Sequence, residues 1–310
     1  MRRLIDSIYF IVGQCPAPVR KSVRLSRDVV LRLKGFVMRL RGIKAVPAYW
    51  ADALNFGDML TPELLKTFGV FPRYTSSLDT ASTSRILVSC GSILGWQKAD
   101  FSGYVLGAGL GMREEAKSMP FARFLCVRGA LTRDAMGLRH EIPLGDPGLL
   151  VERIVNVSGV EKSTMIGIVP HQIEMNSPRV SELVSRLQKS IDNPDIGIML
   201  ISTRRTPQAV IRDIATCRFV LSSSLHGLVV SDALHIPSAR VHFEKAIGDF
   251  KFDDYYSAYG ESCNTYEAEN LASVEDAISI CRFPESRARL ISVMKKELEL
   301  SFRKYLSEVL

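Results

Sequence analysis

A histidine lies where an apolar run meets a predicted buried helix in "FVLSSSLHGLVVSDALHIP", residues 219–237. If the helix begins at Ser223 or Ser224, His226 falls in its first turn, where free backbone N–H groups and the positive end of the helix dipole gather. That end of the dipole disfavours a charged imidazole, so a cationic His226 requires a bound anion. The stretch therefore predicts that Ser223, Ser224 and His226 help to hold a carboxylate or a phosphate.

A second polar group precedes another helical pattern. The sequence "NFGD" places Asn55, Gly57 and Asp58 just before it. Asparagine and aspartate favour turns and helix caps, and glycine permits a positive φ, so a helix cap is the simpler interpretation. The alternative is a site in which the free amides of the helix N-terminus bind an anion or a sugar hydroxyl.

Two glycine loops follow predicted strands. Gly91 and Ser92 end the first strand, and "GAGLG" at 107–111 ends the next. The second loop lacks the final spacing of the dinucleotide fingerprint, and no acidic residue ends a following strand at the required place, which argues against NAD. Each loop is compatible with a tight turn or with a ligand that approaches the backbone closely.

Three charged or titratable residues follow other strand-like or turn segments. Arg128 comes directly after a strand, where a guanidinium can fork onto an anion or form a surface ion pair. Asp146 lies in a Pro/Gly turn, which accounts for it equally well. His171 follows an apolar run and lies in a proline loop. It either lines a cleft or has a purely structural role.

These residues can form one site only if the ends of several strands lie close together. The hydrophobic pattern of the chain predicts such strands. Short apolar runs alternate with helical patterns after residue 44, which is typical of α/β proteins with parallel sheets. We predict two Rossmann-like α/β domains facing each other across a cleft, with a seam at 148–163. The predicted units are a basic helical segment at 1–44, an α/β domain at 45–155, and an α/β domain with a terminal helix at 156–310. Predicted strands cover 85–90, 103–107, 124–127, 165–169, 196–201, 218–221 and 238–241. Predicted helices cover 179–190 and 206–215, and the second of these begins with Thr206 as its cap and Pro207 at the first helical position. The terminal helix is predicted from an apolar stripe at three- and four-residue steps: Ile291, Met294, Leu298, Phe302, Tyr305 and Val309.

Composition limits the class of protein. With 310 residues, 46% hydrophobic and 24% charged, the chain suits about two globular domains. The six cysteines form no CxxC pair, which excludes a metal knuckle, and several lie in apolar runs, which predicts a reducing, cytoplasmic compartment. Neither a membrane-spanning run of about 18 apolar residues nor a clean signal-peptide cleavage site is present.

The net charge of +7 is concentrated at the N-terminus. Residues 1–42 contain ten basic and two acidic side chains, so the other 268 residues are nearly neutral. Apolar residues recur there at three-, four- and seven-residue steps, predicting an amphipathic helix. The helix either lies on an anionic membrane surface or packs on its own domain. No motif in the rest of the chain supports nucleic-acid binding.

Taken together, seven short pieces resemble the polysaccharide pyruvyl transferase family. They occur in the family's order and span roughly residues 48–256. The pieces are "NFGD" at 55, "SCGSIL" at 89, "VRGALT" at 127, "GDPGLL" at 145, "IGIVPH" at 166, "SSSLHG" at 222 and "FKFDDYY" at 250.

The resemblance implies a GT-B-like fold and the transfer of a pyruvyl group from phosphoenolpyruvate to two hydroxyls of one sugar, forming a cyclic ketal. Such a reaction requires no metal and no cofactor beyond the donor substrate. His226 would contact the donor's phosphate or carboxylate and act as general acid. Asn55 and Asp58 would orient the acceptor, with Asp58 or Asp146 accepting a hydroxyl proton.

One position departs from the family pattern. Some members have arginine before Leu-His-Gly, and here that position is Ser224. The missing charge would come from Arg128, Arg204 or Arg205, with Lys251 adding a further cation.

The expected protein is a cytoplasmic enzyme of surface-polysaccharide biosynthesis, peripheral at the inner face of the membrane through residues 1–42. Its acceptor would be a lipid-linked or nucleotide-linked saccharide. Two alternatives stay open. A GT-B glycosyltransferase would use a nucleotide sugar, and a non-catalytic scaffold of a polysaccharide-assembly complex would act through its basic helix alone.

Overall fold

Two parallel β-sheets organise the chain in the computed structural model, which describes residues 42–51, 55–75, 84–191, 197–244 and 248–310. The predicted basic helical segment at 1–44 lies, apart from residues 42–44, outside these described residues. The first sheet has the strand order β2-β1-β3-β4-β5, and every neighbouring pair is parallel. Its elements are β1 (Ala45–Tyr49), α1 (Leu60–Thr67), β2 (Phe71–Tyr74), β3 (Leu87–Val88), β4 (Tyr104–Leu106), β5 (Arg123–Cys126) and α2 (Ala130–Ala135).

The second sheet has the order β10-β9-β8-β6-β7 and is also parallel. Its strands are β6 (Thr164–Val169), β7 (Ile198–Leu200), β8 (Cys217–Ser222), β9 (Ser238–His242) and β10 (Thr265–Glu267). Its helices are α3 (Pro178–Lys189), α4 (Pro207–Ala215), α5 (Leu225–Ala233), α6 (Phe250–Ser257), α7 (Val274–Ile280) and α8 (Glu285–Val309). The predicted fold class, two α/β domains with parallel sheets, is confirmed.

Local sequence explains two helices of the second domain. Thr206 precedes α4 and Pro207 occupies its first turn, as predicted, because proline's fixed φ suits that position and its missing N–H is not needed there. Helix α5 is buried along its whole length, which matches its nearly continuous apolar sequence. In the described ranges, no helix combines the length and apolar character needed to cross a bilayer.

The terminal helix α8 joins the second domain to the first. Its predicted apolar stripe is buried, and Phe302 stacks on Phe68 with ring centroids 4.9 Å apart. The Tyr305 hydroxyl contacts the carbonyl oxygens of Pro47 and Arg85 at 3.1 and 3.0 Å. The sequence assigned this helix to the second domain alone. The structure adds contacts with the first domain, which the stripe did not predict, because a stripe shows which face is buried but not against which domain. The 155/156 boundary itself stays a prediction.

Replacing Phe302 with alanine should lower the free energy of unfolding by about 3–5 kcal/mol, because the side chain is fully buried at this junction. Urea denaturation followed by circular dichroism measures the loss. The matched control is Leu300→Ala, which truncates a side chain that is 66% exposed on the same helix. It should change stability by less than about 0.5 kcal/mol, and equal losses would contradict the packing described.

Candidate active site

The carboxyl ends of both sheets carry the polar residues that the sequence singled out. In parallel α/β sheets this is the edge at which ligands bind. The two domains meet there: Phe56 N donates to Thr203 O over 2.9 Å, and Thr132 N donates to Asp254 Oδ1 over 2.6 Å. From the first domain come Asn55, Gly57, Asp58, Gly91, Ser92, Arg128 and Asp146; from the second come His171, Arg204, Arg205, Ser223, Ser224, His226 and Lys251.

His226 lies in the first turn of α5, as predicted. The helix begins at Leu225, and Ser224 is its N-cap residue, although the Ser224 side chain makes no capping hydrogen bond. Ser222 Oγ instead accepts from the Ser224 N–H over 3.0 Å. The serine run therefore shapes the chain entry to α5.

His226 faces Asp146 across the domain junction. Nε2 of His226 lies 3.8 Å from Oδ2 of Asp146, and both side chains are buried. Neither atom has a hydrogen-bond partner among the residues that the structure describes. The other carboxylate oxygen, Oδ1, accepts from Gly148 N over 2.8 Å, so the predicted turn role of Asp146 is also present. One carboxylate oxygen thus holds the turn and the other faces the imidazole.

Burial lowers the pKa of His226, and the nearby Asp146 carboxylate raises it while Arg128 and Lys251 lower it. The imidazole is therefore mostly neutral in the free protein at neutral pH. A dianion bound nearby would favour the protonated form. The position of His226 in the first turn of the helix predicted this coupling between anion binding and protonation of the imidazole.

The turn before α1 packs directly on the imidazole. Asn55 Oδ1 accepts from Gly57 N over 3.1 Å. A Cβ added to Gly57 would lie 2.1 Å from Nδ1 of His226, which explains the glycine by close approach; its φ is not positive. The helix-cap interpretation is wrong, because Met59 is the N-cap residue of α1 and no side chain caps it.

Gly57→Ala should displace the His226 ring and lower binding of inorganic phosphate, a small anion probe, by about three- to tenfold in isothermal titration calorimetry. The reason is the steric conflict just described. Gly248→Ala is the control, since a Cβ there meets nothing within 4 Å. Unchanged phosphate affinity in a folded Gly57→Ala protein would show that the ring is not held where the structure places it.

Asp58 and Lys251 form a coupled pair of opposite charges. Burial raises the pKa of Asp58 to about 7, although Lys251 and a hydrogen bond with Asn55 act to lower it. Burial also lowers the pKa of Lys251 to about 8, with Arg128 and Arg240 adding to the effect. Both groups can therefore exchange protons near neutral pH, as a catalytic acid or base must. Gly91, with φ of 112°, lies against this carboxyl, since its Cβ would be 3.4 Å from Asp58 Oδ1.

His171 and Ser223 are held by a carboxylate that sequence reasoning missed. Ser223 Oγ accepts from His171 N over 2.9 Å and donates to Glu174 Oε2. Glu174 Oε1 accepts from Glu244 N over 3.2 Å. Glu174 is only 1% exposed and joins the loops after β6, β8 and β9. Its sequence context, in a polar loop beside the exposed Ile173, gave no signal of burial.

The pKa of His171 is lowered to about 4, first by burial and then by Lys251 and His226. His171, His226 and Lys251 therefore repel one another when they are protonated in the free protein. A bound anion would relieve that repulsion, so the local field favours a negatively charged ligand.

Arg128 is fully buried, and the protein itself occupies its donors. Nε donates to Asp254 Oδ2 over 2.8 Å, Nη1 to Ser92 Oγ over 2.7 Å and Nη2 to the Leu110 carbonyl over 2.6 Å. A Cβ on Gly109 would lie 2.4 Å from its Cζ, so "GAGLG" makes room for this guanidinium. The surface ion pair considered from the sequence is wrong, because both charged partners are 0% exposed. A direct clamp on a ligand stays a prediction.

The other two arginines considered as substitutes at Ser224 also have protein partners. Arg204 Nη2 donates to the Gln172 carbonyl over 2.8 Å, and burial lowers its pKa. Arg205 pairs with Asp213 on α4. Lys251 has neither a hydrogen bond nor an ion pair among the described contacts; its ammonium lies 5.2 Å from the centre of the Phe252 ring.

The arrangement combines an imidazole 3.8 Å from a carboxylate, a carboxyl whose pKa is about 7 and a cation for which the described residues supply no ion-pair partner. It can bind a small anion and move protons beside it. Within the described ranges, no group of three or more His, Cys, Asp or Glu side chains is arranged to hold a metal ion.

Comparisons with known proteins agree with the motif order. Succinoglycan biosynthesis protein ExoV of Rhizobium meliloti is 27% identical over 157 residues, covering 51% of this chain and 47% of ExoV. The chain thus spans about half the length of that relative. An uncharacterized protein of Acanthamoeba polyphaga mimivirus is 28% identical over 210 residues, covering 63% of this chain and 69% of its own.

Among solved structures, two variants of the wall teichoic acid polymerase TagF are similar, with TM-scores of 0.43 and 0.42 and identities of 13% and 11%. Each alignment covers 94% of this chain and 98% of the TagF chain. A family model described as polysaccharide pyruvyl transferase matches residues 55–241, which run from the turn of Asn55 to strand β9 and include His226 and Asp146. Because this match covers more than half of the chain, the protein belongs to the polysaccharide pyruvyl transferase family.

Proposed function

We propose that the protein transfers the pyruvyl group of phosphoenolpyruvate to two hydroxyls of one sugar in a surface-polysaccharide precursor, forming a cyclic ketal. The observation that carries this proposal is the His226–Asp146 pair, with Nε2 and Oδ2 3.8 Å apart at the junction of the two domains. Family membership supports it, and so does the cation Lys251 beside it.

The first step is protonation of the donor. A proton passes from His226 to the methylene carbon of phosphoenolpyruvate, and the electron pair of the C=C bond forms the new C–H bond. The adjacent carbon becomes electrophilic. Asp146 stabilises the imidazolium form because it raises the pKa of His226. Lys251 offsets the charge of the phosphate and carboxylate.

The next steps join the sugar to the donor. A sugar hydroxyl attacks the electrophilic carbon, and its proton passes to Asp58, whose pKa of about 7 suits either protonation state. The second hydroxyl then attacks the same carbon, the C–O bond to phosphate breaks, and inorganic phosphate leaves with the electron pair and the second hydroxyl's proton. The proton held by Asp58 restores the acid. No net oxidation occurs.

The setting of this reaction follows from the proposal. The enzyme would act in the cytoplasm on a lipid-linked or nucleotide-linked saccharide. Residues 1–42, with their excess of basic side chains, would keep it at the inner face of the membrane. Formation of the ketal would need no metal ion and no organic cofactor.

The deciding experiment incubates the full chain with phosphoenolpyruvate and a panel of lipid-linked and nucleotide-linked saccharides, and follows phosphate release and the ketal methyl signal by NMR. Release that depends on acceptor and stops in His226→Ala supports the proposal. Binding of a nucleoside diphosphate with inert phosphoenolpyruvate indicates a glycosyltransferase instead. A cellular function that survives His226→Ala but fails without residues 1–42 indicates a scaffold.

A further inference from the structure

An exposed tryptophan belongs to a loop that begins at the candidate active site. Trp96 is 55% exposed and belongs to the loop that follows β3. The same loop begins at the site: Gly91 lies against Asp58, and Ser92 Oγ accepts from Arg128 Nη1 over 2.7 Å. The loop therefore runs from the groups assigned to catalysis to an indole ring in solvent.

The backbone around this indole is fixed on both sides. Lys117 Nζ donates to the carbonyl oxygens of Gly95 and Gln97 over 2.7 and 3.0 Å. Gln97 is 1% exposed, and its Nε2 donates to the Ile93 carbonyl over 3.0 Å. The indole on this fixed backbone is 55% exposed, so much of its apolar ring gains no packing in the free protein. Such a ring is preorganised for a partner, because little conformational entropy is lost on binding.

The neighbouring loop adds a second apolar side chain. Met112 is 54% exposed and follows β4. Glu115 joins the two loops: its Oε2 accepts from the N–H groups of Gly111 and Met112 over 2.8 and 3.3 Å, and a Cβ on Gly95 would lie 2.5 Å from its side chain. Trp96 and Met112 are thus two exposed apolar side chains in loops that share the support of Glu115, and we call this pair the apolar platform.

We propose that Trp96, with Met112 in the adjoining loop, forms a stacking subsite for a pyranose ring of the saccharide acceptor. The inference rests on the proposed function and names where its acceptor binds. One face of a pyranose is lined by C–H groups and packs on an aromatic face, while the ring hydroxyls stay free. Stacked on Trp96, the saccharide can direct hydroxyls along the loop toward Asp58.

The surrounding charges favour a sugar over an anionic lipid surface. The exposed charged residues flanking the platform are two basic and two acidic: Lys98, Arg113, Asp100 and Glu114. Their charges cancel, whereas a surface for anionic membranes carries an excess of lysine and arginine.

Iodide quenching of tryptophan fluorescence in the full chain tests the subsite directly. The chain has two tryptophans, and Trp50 is only 2% exposed, so iodide reports on Trp96. The probes are methyl glycosides of glucose, galactose, mannose and N-acetylglucosamine. We expect at least one glycoside to protect the indole. In calorimetry, Trp96→Ala should raise that glycoside's Kd about tenfold, and Trp96→Phe should restore part of the affinity.

The matched control is Phe121→Ala. Phe121 is 64% exposed but precedes β5, at the opposite edge of the sheet, so its loss should leave glycoside binding unchanged. Absence of protection by every glycoside, or wild-type glycoside affinity in Trp96→Ala, would overturn the subsite. So would an emission shift caused only by phosphatidylglycerol vesicles, which would make Trp96 a membrane anchor. Trp96-dependent glycoside binding without any consumption of phosphoenolpyruvate would uphold the subsite while the proposed function fails.

Discussion

His226→Asn should lower kcat for pyruvyl transfer by about 10²–10⁴-fold, the range a positioned general acid contributes. Binding of phosphoenolpyruvate should weaken by less than about tenfold. The reason is that burial lowers the pKa of His226, so part of the attraction between the anion and the imidazolium is offset by the cost of protonating the imidazole. Single-turnover phosphate release measures the first quantity, and calorimetry with phosphoenolpyruvate measures the second.

Asp146→Asn isolates the carboxylate behind the imidazole. Asparagine keeps an oxygen that can accept from Gly148 N, so the turn is retained, but the charge 3.8 Å from Nε2 is lost. Because Asp146 raises the pKa of His226, its removal lowers that pKa. Activity that requires the protonated imidazole should therefore disappear at a lower pH, and the alkaline limb of the kcat profile should move to lower pH.

The control for the His226→Asn and Asp146→Asn variants is Asp134→Asn, which changes an aspartate on α2 whose side chain is 59% exposed. It should leave both kcat and the position of the alkaline limb unchanged. An Asp146→Asn enzyme with the wild-type pH profile would contradict the assignment of Asp146 as the residue that tunes His226. A loss in His226→Asn confined to the Kd for phosphoenolpyruvate would make the histidine a binding group instead of an acid.

The positions of site residues could be predicted from the sequence where the local pattern of apolar and polar residues is strong. Three serines between strand β8 and the apolar α5 were enough to place His226 in the first helical turn. The long runs of β6 and β8 were located to within a residue or so at each end. Strands β1, β2 and β10 were not predicted, because three to five residues with irregular burial give no clear period.

Pairings across the domains could not be predicted. Arg128 and Asp254 are 126 positions apart, and nothing in either local sequence names the other. The glycines of "GAGLG" suggested a ligand loop, whereas Gly109 makes room for the Arg128 guanidinium. Glu174 was overlooked for the same reason. A buried carboxylate in a loop is recognisable only when the three loops it joins are seen together.

Lys251→Met should weaken phosphoenolpyruvate binding by about 30-fold at pH 7, because truncating a largely desolvated charge that faces an opposite charge costs about 2 kcal/mol or more. The wild-type pKa of about 8 adds a pH signature. The ammonium form binds the anion, so wild-type affinity should fall as the pH rises above about 8. Calorimetry at pH 7, 8 and 9 should show this decline in the wild type and a flatter response in Lys251→Met.

The same substitution should make the free protein more stable. The native pKa of Lys251 lies below the usual 10.5, so between pH 8 and 10.5 the unfolded chain binds more protons and stability rises with pH. Below about pH 8 the full cost of the buried ammonium is present. Lys251→Met should therefore raise the free energy of unfolding by about 1–3 kcal/mol at pH 7 and by less at pH 10. Lys296→Met, at an exposed position of α8, should change neither quantity. A Lys251→Met protein that loses stability at pH 7 would contradict this prediction. It would mean that neighbouring residues stabilise the Lys251 ammonium in the free protein, so that no electrostatic cost is present there for a bound anion to relieve.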